Sequence, residues 1–425
     1  MDTAHGSSLS ALSGLPPQEK RLVWLAFAWI FVTIAAYSII GSVRAGMLLF
    51  RFGEAALPWA FMASAVSTGA AVWAYNSLAG RLSRRALVRA TLAALAVTLA
   101  AWAALVAVKP AAGWAAFIFS LWSDVFGIMS VTLFWSYADD LFTTGEAKKV
   151  YGLVASAGPL GSILGSLLTT LGAVRLGLSP LLWIACALFS VTLLTHAAME
   201  GVTRAPDAER AAAREPSASA APTAGVLRTI ARSPFLLALA AVVFLERLVP
   251  DFSDYLFGAA LHAHFHGAQA IARFQGLYSL VEGGASLLAS VLLTRWVLER
   301  LGLGAALTTA PLANLVGLLV FPFSPTLGWT AGYNAAEGLL RYTWFKSAKE
   351  ASYTAESRDV VYRVKAFIEM FVYRFARGVA GFLLLLLTGG ALLHHGARAV
   401  ALAGVPLALA WVYAARRMGQ EAKAA

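Results

Sequence analysis

Arg247, Asp251 and Asp254 lie four and then three residues apart inside an otherwise apolar run, spacing that puts one cation and two acids on one face of a helix. A second run carries Asn334, Glu337 and Arg341 on one face in the same way. A third carries Lys365, Glu369, Tyr373, Arg374 and Arg377, a fourth the stripe Gln275, Tyr278, Ser279, Glu282 and Ser286, and the first run of the chain carries Tyr37, Gly41 and Arg44. Asp124 sits alone in a further apolar stretch. A guanidinium fork grips phosphate or carboxylate with two parallel bonds, and a tyrosine ring stacks on a base. A carboxyl group taken out of water holds its proton more readily and can carry it. Two readings therefore stand side by side. In one, Arg44, Arg341 and Arg374, with Tyr37, Asn334 and Tyr373, bind an anionic solute. Asp124, Arg247, Asp251, Asp254, Glu282, Glu337, Lys365 and Glu369 then couple or pair. In the other, the same charges only neutralise one another at helix ends or snorkel to the interface. The candidate buried cations are Arg44, Arg247, Arg341, Arg374 and Arg377; the candidate acids are Asp124, Glu246, Asp251, Asp254, Glu282, Glu337 and Glu369. The acids outnumber the cations, the reverse of a polyphosphate site, which keeps protons in play as a coupling ion.

The elements that hold these residues are apolar helices. The chain has 425 residues, 59% hydrophobic and 13% charged, with a mean hydropathy of +0.71, whereas soluble chains are about half apolar and a quarter charged. The solvent for much of this chain is lipid, where an ionised side chain costs about 2.5–3.5 kcal/mol on insertion scales. Each charge named above must therefore face a cavity or a partner. Apolar runs of spanning length fall near 22–42, 55–78, 86–108, 113–138, 150–174 and 179–198, then near 235–258, 271–294, 303–323, 326–345, 362–388 and 397–415. Between the sixth and seventh lies a stretch rich in Ala, Pro, Ser, Arg and Glu that reads as a solvated linker. The expected organisation is a polar tail over 1–20, a six-helix bundle over 21–198, a cytoplasmic linker over 199–232, a second six-helix bundle over 233–415 and a tail over 416–425. The first apolar run is long enough to span and lacks the pattern of a cleaved signal peptide. Pro250, amid the charges of the seventh run, is expected to kink that helix or break its ladder.

Loops rich in Lys and Arg stay in the cytoplasm. Most of the basic residues outside the runs fall in the tails and in the loops after the even-numbered runs, and few in the loops after the odd-numbered ones. Both termini are expected to be cytoplasmic, in a bacterial inner membrane, and the net charge of +11 is assigned to orientation rather than to nucleic acid. The single cysteine, Cys186, makes neither an internal disulfide nor a metal site. His262, His264 and His266 alternate as metal-binding histidines on a strand do, but with no carboxylate or cysteine companion they read as a solvated loop. No phosphate-cradling loop and no nucleophile–base spacing is present, so neither an enzyme nor a cofactor is expected. Gly152, Gly158, Gly161 and Gly165, with Pro159, form a small-residue stripe suited to close helix packing.

Three stretches carry a family resemblance. The first is Leu133-Phe134-Trp135-Ser136-Tyr137-Ala138-Asp139-Asp140-Leu141-Phe142-Thr143, followed by the glycine-rich segment Ala157 to Gly165. The second is Asp254-Tyr255-Leu256-Phe257 with Phe274-Gln275-Gly276. The third runs from Arg341-Tyr342 through Lys349-Glu350 to Tyr362-Arg363-Val364-Lys365-Ala366-Phe367-Ile368-Glu369 and Tyr373-Arg374. Together they resemble the nucleotide transporters of the ATP/ADP carrier type found in plastids and intracellular bacteria. Gly80-Arg81-Leu82-Ser83-Arg84-Arg85 and Glu299-Arg300-Leu301-Gly302, one after the second run and one after the eighth, are similar to worn copies of the loop motif of the major facilitator superfamily. The resemblance implies an all-α membrane protein of the major facilitator type, twelve transmembrane helices in two six-helix bundles, with the substrate held near the bilayer midplane. It further implies transport of a nucleotide or related organic anion. Gly41, Ala45 and Gly258 stand where that family has charged residues, so a proton-coupled carrier of another small solute, or a membrane binding or signalling module that does not transport, remains an alternative.

Overall fold

The computed structural model describes residues 16–79, 81–108, 113–142, 144–202, 223–353, 364–365, 367–389 and 396–424. The tail over 1–15, the Arg210–Pro222 part of the linker, the Tyr362-Arg363 pair and His394-His395 lie outside the described residues.

Each of the twelve apolar runs is helical over its described residues except near its ends. The first six are α1 (Pro17–Phe52), α2 (Ala56–Ala79), α3 (Arg84–Val108), α4 (Gly113–Leu141), α5 (Thr144–Gly172) and α6 (Leu178–Val202). A short α7 (Thr223–Arg232) precedes α8 (Pro234–His264), α9 (Ala268–Leu292), α10 (Thr294–Arg300), α11 (Gly302–Val320) and α12 (Leu327–Leu340). α12 continues as a π-helical stretch, π1 (Arg341–Phe345), into α13 (Lys346–Ser352). A second, π2 (Ile368–Val372), leads into α14 (Tyr373–Gly389), and α15 (Gly396–Ala424) ends the described chain.

Helices α1–α6, α11 and α15 are long and apolar enough to cross a membrane, and α9 and α10 pass together across a 52° bend. The runs that fall short on their own, α8, α12 and α14, carry the charge cluster: α8 holds Glu246, Arg247, Asp251 and Asp254, while α12 and α14 are 14 and 17 residues long and abut the π-helical stretches. Their shortfall has the same cause as their interest, since charges and irregular backbone at membrane depth persist only where protein covers them or a cavity receives them. The Ser233 side chain accepts a hydrogen bond from Leu236 N–H to open α8. The helix then runs unbroken through the buried Pro250, so the expected break is absent. Packing along α14 and α15 holds its line, as neighbouring helices commonly do for a membrane proline.

The chain divides into two compact units. The first comprises Met1–Arg51, Ser67–Ala212 and Gly267–Leu280. Its core centres on Trp29, fully buried among Phe134, Tyr137 and His196, and α3 lies along α6, with Ser179 Oγ donating to the Ala103 carbonyl at 2.9 Å. Of the glycines on α5, Gly161 and Gly165 press against the α1 backbone at Phe31 and Ala35, Gly152 faces open space and Gly158 only approaches Ile34. Two further glycines tie Gly267–Leu280 into this unit: Gly46 abuts Ala268 and Ala272, and Gly276 abuts Ser166 and Thr169.

The second unit comprises Phe52–Val66, Ala213–His266 and Val281–Ala425. Its core has α8 and α11 packed along α15, with Trp411 fully buried against Phe345. Asn314 accepts from Ser253 Oγ at 2.7 Å inside it. Phe52–Val66 is held there by Gly381 against Pro58 and Met62 and by the Arg377 guanidinium over the Phe61 ring.

A methyl group at Gly161 would overlap backbone atoms that cannot step aside. Gly161→Ala is expected to destabilise the detergent-solubilised protein by roughly 1–3 kcal/mol. Gly152→Ala, on the same helix but in open space, should be neutral or slightly stabilising. Thermal unfolding of the two variants reads the contrast.

Candidate functional site

In the first unit, α1 and α4 build a small polar site. Arg44 donates to Asp124 at 2.5 Å. The carboxylate is 8% exposed, while the arginine side chain keeps 28%. Tyr37, two turns before Arg44, lies against Gly127, where a side chain would occupy the space of its ring. The missing side chain at Gly127 is thus what admits Tyr37 beside the Arg44–Asp124 pair, and it joins three sequence candidates at one place.

The second unit gathers most of the rest. On α8, Arg247 is bonded to Asp251 and lies 4.0 Å from Asp254. It also donates to the Tyr373 hydroxyl at 3.4 Å and lies 5.6 Å from the centre of that ring. Asp251 is wholly buried, whereas Asp254 keeps 45% of its side chain accessible. On α12, Glu337 and Arg341 are 2.9 Å apart, both almost fully covered. Glu282 on α9 presses its carboxylate into the space left by Gly338, beside Glu337 and Arg341. Glu282 makes no ion pair among the described residues. Asn334 is buried one turn before Glu337, and its Nδ2 has no hydrogen-bond partner among the described residues. Arg374 follows Tyr373, partly buried.

Two candidates stand apart from this cluster. Lys365 pairs with Glu350 at 2.5 Å and lies over the Tyr353 ring rather than meeting Glu369. Glu369 accepts from the Tyr353 hydroxyl at 3.2 Å.

Three polar contacts were not foreseen. Lys349 Nζ donates to Glu246 Oε2 at 2.7 Å, both side chains at most 10% exposed. Ser253 meets Asn314 in the core. His262 Nδ1 meets Glu54 Oε2 at 2.8 Å; His262 and His264 end α8 rather than lying in a loop, and no group of three metal-ligating side chains occurs among the described residues. Lys349 lies in a family-like stretch and Glu246 among the buried acids, but 103 residues separate them, and no local spacing signals the pairing.

This arrangement of ion-paired helices can hold a charged solute or exchange protons. The sequence profile of the TLC ATP/ADP transporters matches residues 86–334, more than half of the chain. The chain belongs to the TLC ATP/ADP transporter family. No curated protein sequence matches it. Among solved structures it is similar to the nucleoside transporter NupG, at 15% identity over 95% of this chain and 99% of that one, with a TM-score of 0.65. It is also similar to the human organic anion transporter MFSD10, at 16% identity over 94% and 100% of the two chains, TM-score 0.60. A third likeness is to a D-xylose–proton symporter, at 11% identity over 92% and 96%, TM-score 0.60. At these identities the likenesses give the fold, which is that of the major facilitator transporters. This TLC-family protein is an integral membrane secondary transporter with a small-molecule substrate.

The buried Lys349–Glu246 pair offers a direct test of how the cluster is held. Removing one member of a buried pair strands the other charge, at a cost of about 3–5 kcal/mol. Lys349→Met should therefore lower the unfolding temperature markedly. The double variant Lys349→Met with Glu246→Leu should regain most of the loss, since replacing both partners with apolar groups is often close to neutral.

Proposed function

We propose that this transporter moves a nucleotide of the ATP/ADP kind, or a related organic anion, across a bacterial inner membrane by alternating access, with both termini in the cytoplasm. The observation that carries the reading is the Arg44–Asp124 pair. It sets a guanidinium in an apolar span, charge-balanced by a buried acid, with more than a quarter of the arginine side chain still accessible. A guanidinium held in that way can accept a second anionic partner without leaving the first, because its fork offers five N–H donors. In this reading Arg44, Arg341 and Arg374 engage the anionic part of the solute, and Tyr37, Asn334 and Tyr373 engage the remainder. Membership of the TLC family supports the nucleotide class.

One observation favours proton coupling as a companion reading. Glu282 and Glu337 both lie near the Arg341 guanidinium, and Glu282 packs onto the helix backbone at Gly338. Where acids outnumber the cations around them, a proton can settle the balance. Asp124, Arg247, Asp251, Asp254, Lys365 and Glu369 then serve as pairing groups that keep the remaining charges neutral.

In proteoliposomes, Arg44→Ala and Arg341→Ala are expected to cut uptake of labelled ATP or ADP by at least about tenfold, the loss of one charged hydrogen bond of about 1.5–3 kcal/mol. Retained uptake in both variants would remove the anion-binding assignment. Substrate-driven acidification of the vesicle lumen that disappears in Glu282→Gln would establish coupling. Substrate flux with no proton movement in the unmutated protein would eliminate it.

A further inference from the structure

Tyr342 has a place in the second unit that the proposed function leaves unused. It is 58% exposed, yet four polar groups lie within electrostatic reach of it: its neighbour Arg341, the first residue of π1, Arg247 on α8, Glu282 on α9 and Tyr373 on α14. An aromatic side chain open to lipid would not be ringed by ionisable groups, because charges facing hydrocarbon are costly. The exposure is therefore to a polar recess of this unit. The Arg341 guanidinium lies 4.7 Å from the centre of the Tyr342 ring, close enough for a cation–π contact, while the same arginine is held by Glu337 at 2.9 Å.

The backbone explains how neighbours in sequence come to work together. Tyr342 is the second residue of π1, where the Lys346 N–H reaches back five residues to the Arg341 carbonyl. The wider π turn sets successive side chains closer in azimuth than the roughly 100° of an α-helix. Arg341 and Tyr342 thereby turn to the same recess. Single π turns of this kind recur at functional sites. Tyr373, the other tyrosine of the cluster, is placed differently: its hydroxyl accepts from Arg247, whose guanidinium also lies over its ring. Tyr373 is a wall of the recess, and Tyr342 presents accessible ring surface within it.

We propose that Tyr342, backed by Arg341, is the platform on which a planar aromatic group of the transported solute, a nucleobase, stacks. The proposal rests on the reading of the substrate as a nucleotide and assigns its base to Tyr342. Stacking of a base on an aromatic side chain is tolerant of base identity, since every base has a π-face, so the platform recognises the class and not one member of it.

The test uses the purified full-length protein and four probes: ATP, adenosine, ribose 5-phosphate and tripolyphosphate. Binding is measured by calorimetry on the unmutated protein, Tyr342→Phe and Tyr342→Leu. The expected result is that Tyr342→Leu weakens ATP and adenosine by about fivefold or more, the lower end of the loss seen when a stacking side chain is removed. Tyr342→Phe retains them, and ribose 5-phosphate and tripolyphosphate bind equally to all three proteins. ATP binding that is unchanged in Tyr342→Leu, or a loss shared equally by tripolyphosphate, overturns the platform and leaves the nucleotide reading standing. An unmutated protein that binds neither ATP nor adenosine overturns both. Should Tyr342→Leu fail to fold, photolabelling of the unmutated protein with 8-azido-ATP decides: a label on the Arg341–Tyr342 peptide supports the platform, and a label confined to other peptides overturns it.

Discussion

Desolvation of charge is the constraint on which this structure turns. Lipid and protein interior alike offer an isolated ion far less than water does, and four buried cations, Arg44, Arg247, Arg341 and Lys349, sit against acids. Arg247 and Arg341 find theirs four residues away on the same helix turn, at Asp251 and Glu337. Arg44 and Lys349 find theirs 80 and 103 residues away in sequence, at Asp124 and Glu246. The first kind of pair forms with the helix itself; the second forms only when helices pack. The cluster is therefore both a consequence of the fold and a condition for it.

Close helix approach supplies the other half of the construction. Where a side chain or a neighbouring backbone comes closest to a helix, glycine leaves the room for it. Gly338 receives the Glu282 carboxylate, Gly127 admits Tyr37 beside the Arg44 pair, and Gly161 and Gly165 bring α5 onto α1. The same device decides membership of the two units. Gly381 draws Pro58 and Met62 into the second, and Gly46 and Gly276 draw Gly267–Leu280 into the first. In a bilayer, where apolar contact between helices gains little over contact with lipid, small residues and interhelical polar contacts are the available cement.

The family assignment and the charge pattern say different things about this protein. The TLC profile spans more than half of the chain, yet Gly41, Ala45 and Gly258 are uncharged. Among the described residues the first unit holds the Arg44–Asp124 pair, and the second holds an acid-rich cluster built around Arg247 and Arg341. Two carboxylates share Arg247, and three, Glu337, Glu246 and Glu282, lie near Arg341. The π-helical stretches adjoin these groups, one beginning at Arg341 and one ending just before Tyr373.

Much of the architecture was legible from local pattern. Spans of about 20 apolar residues must be helices in a membrane, because no other open structure satisfies the backbone there. The spacing of Arg247 with Asp251, and of Glu337 with Arg341, likewise announced pairs that form within one helix. The glycines of α5 announced close packing, though only contact with α1 separates Gly161 and Gly165, which need it, from Gly152, which does not. Other features had no local signal. The partners of Arg44 and Lys349 depend on which faces meet after packing. The parting of Lys365 from Glu369 depends on Glu350 and Tyr353 lying nearer, against a four-residue spacing that suggested otherwise. Pro250 would break an isolated helix, yet neighbours on both sides hold α8 intact. The sequence by itself thus determined the helices, the span-by-span placement of charge and the pairs within a turn, because those follow from the covalent neighbourhood and the solvent. Tertiary structure alone decided the long-range pairs and the unit boundaries, because those depend on distances between helices that no local spacing encodes.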